Sequence, residues 1–171
     1  HAIVVVFVLI FWAYNIYKYI EERSMYEYRA TIIKVVDGDT VDVDIDLGFG
    51  IIMKDERVRI MGIDTPESRT RDKEEKKFGL AAKSRLQELL TTDELVIKTQ
   101  VGRGGEDMRG KFGRVLGDFT VYYSDTDSYT LVTKIMINEG HAVEYHGGSK
   151  DVLIKAHMAN RKKLIAEGIV S

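Results

Sequence analysis

The chain has no cysteine, a single proline and a single tryptophan. Without cysteine there is no disulfide scaffold, no thiol nucleophile and no thiolate metal site, and the redox compartment stays open. It also lacks any strong charge imbalance: 25 Lys and Arg against 27 Asp and Glu give a formal net charge of -2. A non-specific polyanion binder usually carries a basic excess, so phosphate binding here would rest on locally placed arginines and lysines or on a metal ion. Internal repeats and low-complexity tracts are missing too. What is present, 171 residues that are 44% hydrophobic and 30% charged, suits one globular domain with a real core.

The one long apolar run is Ala2 to Tyr14, AIVVVFVLIFWAY. As a helix it would reach about 20 Å, short of the roughly 30 Å hydrocarbon core of a bilayer. Continued through Ile16 and Ile20, with Trp12, Tyr14, Tyr17 and Tyr19 as an aromatic belt, it nearly spans. No small-x-small cleavage site follows it. The expectation is a signal anchor over residues 1–20, with a cleaved signal peptide and a buried helix as alternatives, then a polar linker over 21–27. Further residues are expected upstream, because the chain opens on His1. The flank of Lys18, Glu21, Glu22 and Arg23 is mixed in sign and leaves orientation open.

From Tyr28 the pattern changes to period two. Strands are predicted over Tyr28–Val36, Thr40–Leu47, about Glu56–Ile63, Glu94–Val101 and Arg114–Tyr123, with turns at Asp37-Gly38 and Gly48-Phe49-Gly50. In the second strand Val41, Val43, Ile45 and Leu47 face the core, and Asp42, Asp44 and Asp46 form a solvated face. These three aspartates are not a calcium loop: that motif needs glycine where Leu47 stands and glutamate where Met53 stands. Phe78, Ala82, Leu86 and Leu89 mark the buried face of a helix ending near Leu90. The glycine-rich stretch 102–113 links the last two strands as a hairpin. A short helix is predicted over Thr130–Glu139, with Leu131, Val132, Ile135 and Met136 inward and Gly140 as its cap, and a final helix from an N-cap at Ser149 to about Ala166. Five strands, a helix between the third and fourth, and helices after the fifth predict a five-stranded OB-type Greek-key barrel over residues 28–171.

Several polar residues are hard to explain as packing. Val58 to Glu67, VRIMGIDTPE, runs an apolar strand carrying Arg59 into Asp64, Thr65, the lone Pro66 and Glu67. Pro66 fixes its own φ and extends Thr65, so the turn is stiff. Asp39 has the parity of the apolar set and points inward at a strand end. Arg114 opens the strand after the glycine-rich loop. Arg59 and Asp64 lie five residues apart, so they share a site only if the strand bends, which Gly62 permits. His141, His146 and His157 are too scattered for a metal motif, and His157 is read as a packed residue beside Leu153, Ala156 and Leu164.

Asp37-Gly38-Asp39-Thr40, then Arg59-x4-Asp64-Thr65-Pro66-Glu67, then Lys111-Phe112-Gly113-Arg114 resemble the staphylococcal (micrococcal, thermonuclease-like) nuclease family, over roughly residues 28–170. The stretches VDGDTVDVDIDLGFG and ERVRIMGIDTPESRTRD look like thermonuclease homologues of bacteriophages. The resemblance implies a Ca²⁺-dependent phosphodiesterase acting on DNA and RNA that leaves 3′-phosphate and 5′-hydroxyl ends. By the same resemblance Asp39, Asp64 and the Thr65 carbonyl hold the ion, and Asp37 and Thr40 orient these ligands. Glu67 is the general base, Arg59 and Arg114 grip the phosphate, and Lys111 and Tyr145 contact substrate. Relatives often carry a tryptophan where Val170 stands. The competing expectation is a non-catalytic OB-type module that binds nucleic acid or a protein. A monomeric nuclease domain outside the cytoplasm, anchored or secreted, completes the expectation, since cytoplasmic calcium is scarce and an unrestrained nuclease there is toxic.

Overall fold

Period-two patterning closes a barrel. The computed structural model describes residues 10–14, 26–92, 94–100, 109–110 and 113–171. In chain order the elements are β1 (Glu27–Asp37), β2 (Thr40–Asp46), β3 (Ile52–Ile60), β4 (Ile63–Asp64), helix α1 (Lys73–Leu90), β5 (Leu95–Thr99), β6 (Val115–Tyr123), β7 (Ser128–Leu131), helix α2 (Val132–Asn138), β8 (Val143–Glu144) and helix α3 (Lys150–Ala166). The sheet runs β3-β2-β1-β5-β6-β7, and β3 pairs back onto β6, which closes five strands into the expected OB-type barrel. The closing pair is parallel and short, Val58 to Ile60 against Val115 to Gly117, whereas the other pairings in this sheet are antiparallel.

The barrel is filled by the apolar set of the alternation. Val41, Val43, Val58, Ile60, Ile97 and Phe119 are fully buried, and Ala82, Leu86 and Leu89 of α1 plug one end. Burying a side chain of this size is worth about 1.5–3 kcal/mol. Asp72 caps α1 by accepting from the amides of Glu74 and Glu75, and Ser149 caps α3 by accepting from Asp151. A smaller cluster of Phe78, Leu164 and Val170 docks α3 and the chain end against α1, with the Arg161 guanidinium 5.2 Å from the Phe78 ring centre.

The structure corrects several expectations. The strand predicted over Glu56–Ile63 is two strands, because Met61 and Gly62 form a turn between Ile60 and Ile63. Ser128–Leu131, partly assigned to the following helix, is strand β7 paired to β6, so Leu131 caps α2 and is only half-buried. The aspartates of β2 are not a uniformly solvated face: Asp42 is 8% exposed and held by Arg57. Residues 10–14 are helical, but the remainder of the expected anchor and residues 21–25 of the linker lie outside the described residues, as do Lys111 and most of the glycine-rich stretch. Among the described residues no helix is long and apolar enough to cross a membrane.

Candidate active site

Two turns meet at one mouth of the barrel. The β1–β2 turn carries Asp39, and the segment after β4 carries Thr65, Pro66 and Glu67. Asp37 joins them. Its buried Oδ1 accepts from the amide of Gly38 at 3.2 Å and from the amide of Ser68 at 3.1 Å. Helix α1 supports the second turn from behind. A Cβ on Gly79 would lie 2.5 Å from the Glu67 carbonyl and 2.6 Å from the Ser68 nitrogen, so only glycine admits this approach. A Cβ on Gly38 would sit 2.9 Å from both Thr65 Oγ1 and the Ala82 Cβ, so the first turn is also closely packed, here against side chains.

The bend at Gly62 resolves how Arg59 and Asp64 share a site. Gly62 has φ of 82°, a conformation that favours glycine, and β3 stops two residues before it. The Arg59 guanidinium reaches across the bend, donating to the carbonyl of Ile60 before it and of Ile63 after it, the latter at 2.9 Å. The same group lies 3.1 Å from Asp39 Oδ2 and 4.0 Å from Asp64 Oδ1. Thr40 donates its hydroxyl to the other Asp39 oxygen at 2.8 Å. Asp39, Asp64, Glu67, Arg59 and Arg114, with Asp37 and Thr40, thus line a single open cleft of about 570 Å³.

The electrostatics of this cleft are unbalanced. Burial first, then the neighbouring Asp64 and Asp37, hold the Asp39 carboxyl above its ordinary pKa, although Arg59 and Thr40 pull the other way. Glu67 is also pushed up, by burial and then by Asp37, Asp39 and Glu75. Among the described residues six carboxylates line the cleft, those of Asp37, Asp39, Asp42, Asp55, Asp64 and Glu67, against four arginines, Arg57, Arg59, Arg69 and Arg114. An acidic excess of this kind favours a bound cation. The donors that could hold one are hard oxygens, which suits calcium or magnesium rather than a soft metal. Among the described residues no three His, Cys, Asp or Glu side chains cluster as a self-sufficient metal site. An ion held by Asp39 and Asp64 would complete its shell with backbone oxygen, water and substrate.

Besides Asp55, four residues at the site escaped the sequence. Asp42 and Arg57 form a two-bond pair on the cleft wall, at 2.7 and 2.9 Å, and the Arg57 hydrogen bond is the main reason the Asp42 pKa is lowered. Arg69 lines the cleft from the charged loop after Pro66. His157, read as a packing residue, places its Nε2 2.7 Å from Asp64 Oδ2. Tyr145 is not brought into the cleft: it lies beside the bend, its amide donating to the Gly62 carbonyl at 2.9 Å.

Comparison with known proteins places the chain in a family. Residues 57–165 match the family model described as staphylococcal nuclease homologue. The chain is 30% identical over 123 residues to a protein of Shigella flexneri named micrococcal nuclease, an alignment covering 70% of this chain and 59% of that protein.

Proposed function

The chain belongs to the staphylococcal nuclease homologue family, and from that premise we propose that it is a Ca²⁺-dependent nuclease hydrolysing phosphodiester bonds of DNA and RNA. The observation that carries this reading is the pairing of Asp39 and Asp64 across Arg59, with Glu67 and Arg114 on the same cleft.

Each residue has a task that its chemistry suits. Asp39, Asp64 and the Thr65 carbonyl would hold Ca²⁺. When bound there, the ion would supply positive charge to the acidic cleft and Lewis acidity towards a phosphoryl oxygen and water. Glu67 accepts a proton from the water that attacks phosphorus, a step its carboxylate can serve from the edge of the cleft. The new P–O bond forms from that water as the bond to the 5′ oxygen breaks. The 5′ oxygen leaves with a proton from solvent, giving a 5′-hydroxyl and a 3′-phosphate. Arg59 and Arg114 bind the non-bridging oxygens as charge builds on them, a role for which a permanently charged, two-pronged guanidinium is suited. Thr40 keeps the Asp39 carboxylate oriented through its hydroxyl, and Asp37 ties the backbones of the two turns together at Gly38 and Ser68. Lys111 is the further substrate contact that the family resemblance suggests, and Tyr145, which lies beside the bend, would meet substrate only outside the cleft. The domain would act as a monomer, facing an extracytoplasmic space where calcium is abundant.

End-labelled single-stranded DNA incubated with the protein and Ca²⁺ tests the reading. New 5′-hydroxyl ends that disappear in Glu67→Gln support it. Uncut DNA bound equally well by the wild type and by Glu67→Gln would favour a binding module instead.

A further inference from the structure

His157 lies 93 residues from Asp64 in sequence, on the far helix α3, yet its Nε2 is 2.7 Å from Asp64 Oδ2. We propose that His157 is a positioning residue for the cleft carboxylate Asp64, so that the C-terminal helix sets the divalent-cation affinity of the site. The inference rests on the reading of Asp64 as a cation ligand.

The contact is built by the fold, since three neighbours fix the helix over the aspartate. One turn beyond His157, Asn160 donates to the carbonyl of Ala142 at 3.0 Å. The next residue of the chain after Ala142 is Val143, which pairs with Asp64 itself in the β4–β8 ladder. One further turn along, Leu164 is 2% exposed and packs with Phe78 and Val170. His157, Asn160, Arg161 and Leu164 therefore form one inward face, and His157 is its end nearest the cleft. The His157 side chain is 15% exposed, against 33% for Asp64.

The geometry also divides the labour of the two Asp64 oxygens. Oδ2 accepts from His157, and Oδ1 lies on the cleft side, 4.0 Å from the Arg59 guanidinium. An ionised carboxylate only accepts, so the imidazole Nε2 carries the proton and donates it. With Oδ2 tied, the carboxylate cannot rotate freely about its χ2, and Oδ1 is presented to the cleft. Asp39 is fixed in a parallel way, one oxygen taking the Thr40 hydroxyl and the other facing Arg59. The pair would hold a cation with oxygens oriented before it arrives. Hydrogen-bond partners of metal ligands typically matter 10–100-fold for affinity.

Calorimetric titration of the full chain with Ca²⁺, without substrate, tests this. The expected result is Ca²⁺ binding about 10–100-fold weaker in His157→Ala. Binding should be largely restored in His157→Gln, whose amide donates from a similar position, and cleavage at saturating Ca²⁺ should recover towards the wild-type kcat. Thermal unfolding without Ca²⁺ is recorded in parallel. Equal Ca²⁺ affinity in the wild type and His157→Ala overturns the proposal, and a lowered melting temperature with unchanged affinity assigns His157 to packing alone. Tighter binding in His157→Ala overturns it as well. No Ca²⁺ binding by the wild type overturns the cation reading of the cleft and this inference with it, whereas Ca²⁺ affinity that is unchanged in His157→Ala but lost in Asp64→Asn overturns the inference alone.

Discussion

Replacing Gly79 by alanine tests whether α1 holds the turn that carries Glu67. In an isolated helix the change is favourable by about 1 kcal/mol, because alanine loses less conformational freedom. Here the added Cβ would meet the Glu67 carbonyl at 2.5 Å and the Ser68 nitrogen at 2.6 Å. Carbon contacts settle at about 3.5–4.0 Å, so the helix and the turn must part by roughly 1 Å. Both sides are backbone, which cannot rotate away as a flexible side chain would. Overpacking of this kind costs about 1–3 kcal/mol, and the upper end applies, leaving a net loss of about 2 kcal/mol. In a domain of this size that lowers the melting temperature by about 4–8 °C. A shift of about 1 Å in a group that must meet its water in line can lower kcat by about 100-fold. The assays are thermal unfolding and DNA cleavage at saturating substrate and Ca²⁺, with the exposed neighbour Leu80→Ala as a control. A Gly79→Ala protein that melts higher and cleaves at the wild-type rate would refute the close approach and the role given to α1.

Further outcomes follow from other parts of the molecule. Arg59→Ala and Arg114→Ala should each lower kcat/KM by about 100–1,000-fold, as removing one transition-state donor does, and rates within a few-fold of wild type would show that the phosphate is held elsewhere. Stability should fall with rising pH through one group on the barrel. Asp118 is pushed from 3.8 to about 6, chiefly by burial, despite accepting from the Thr133 hydroxyl and from the amides of Phe119 and Thr133. The fold prefers its neutral form, so the contribution is complete below pH 3.8 and lost as pH rises through about 6. The loss is at most about 3 kcal/mol. Urea unfolding from pH 4 to 8 should show this fall in the wild type and a smaller one in Asp118→Asn; identical curves would remove Asp118 as the cause.

Much of the barrel was legible because its signals are local. Alternation marks β2 and the core residues Val41, Val43 and Ile45, and the spacing of Phe78, Ala82, Leu86 and Leu89 marks the buried face of α1. Pro66 marks the turn before Glu67. What was hidden depends on register and on partners distant in sequence. The second irregularity of β1, between Val35 and Asp37, leaves Val36 unpaired and buries Val35, Val36 and Asp37 in succession, a run that alternation cannot produce. Asp42 has the parity of a solvated residue but is covered by Arg57 from β3. His157 looks like any half-buried helix residue until α3 is laid over β4. Gly79 carries no turn or cap signal, because its need for glycine comes from the backbone it touches.

The central claim is that an acidic cleft with paired aspartates becomes a phosphodiesterase only when a cation is supplied. The most direct measurement is the rate of plasmid and single-stranded DNA cleavage as Ca²⁺ is raised from zero, with excess chelator as the baseline. The account predicts no cleavage in chelator and a saturable rise with Ca²⁺ that is abolished in Asp39→Asn and Asp64→Asn. Cleavage that persists in chelator, or none at any Ca²⁺ concentration, would contradict it.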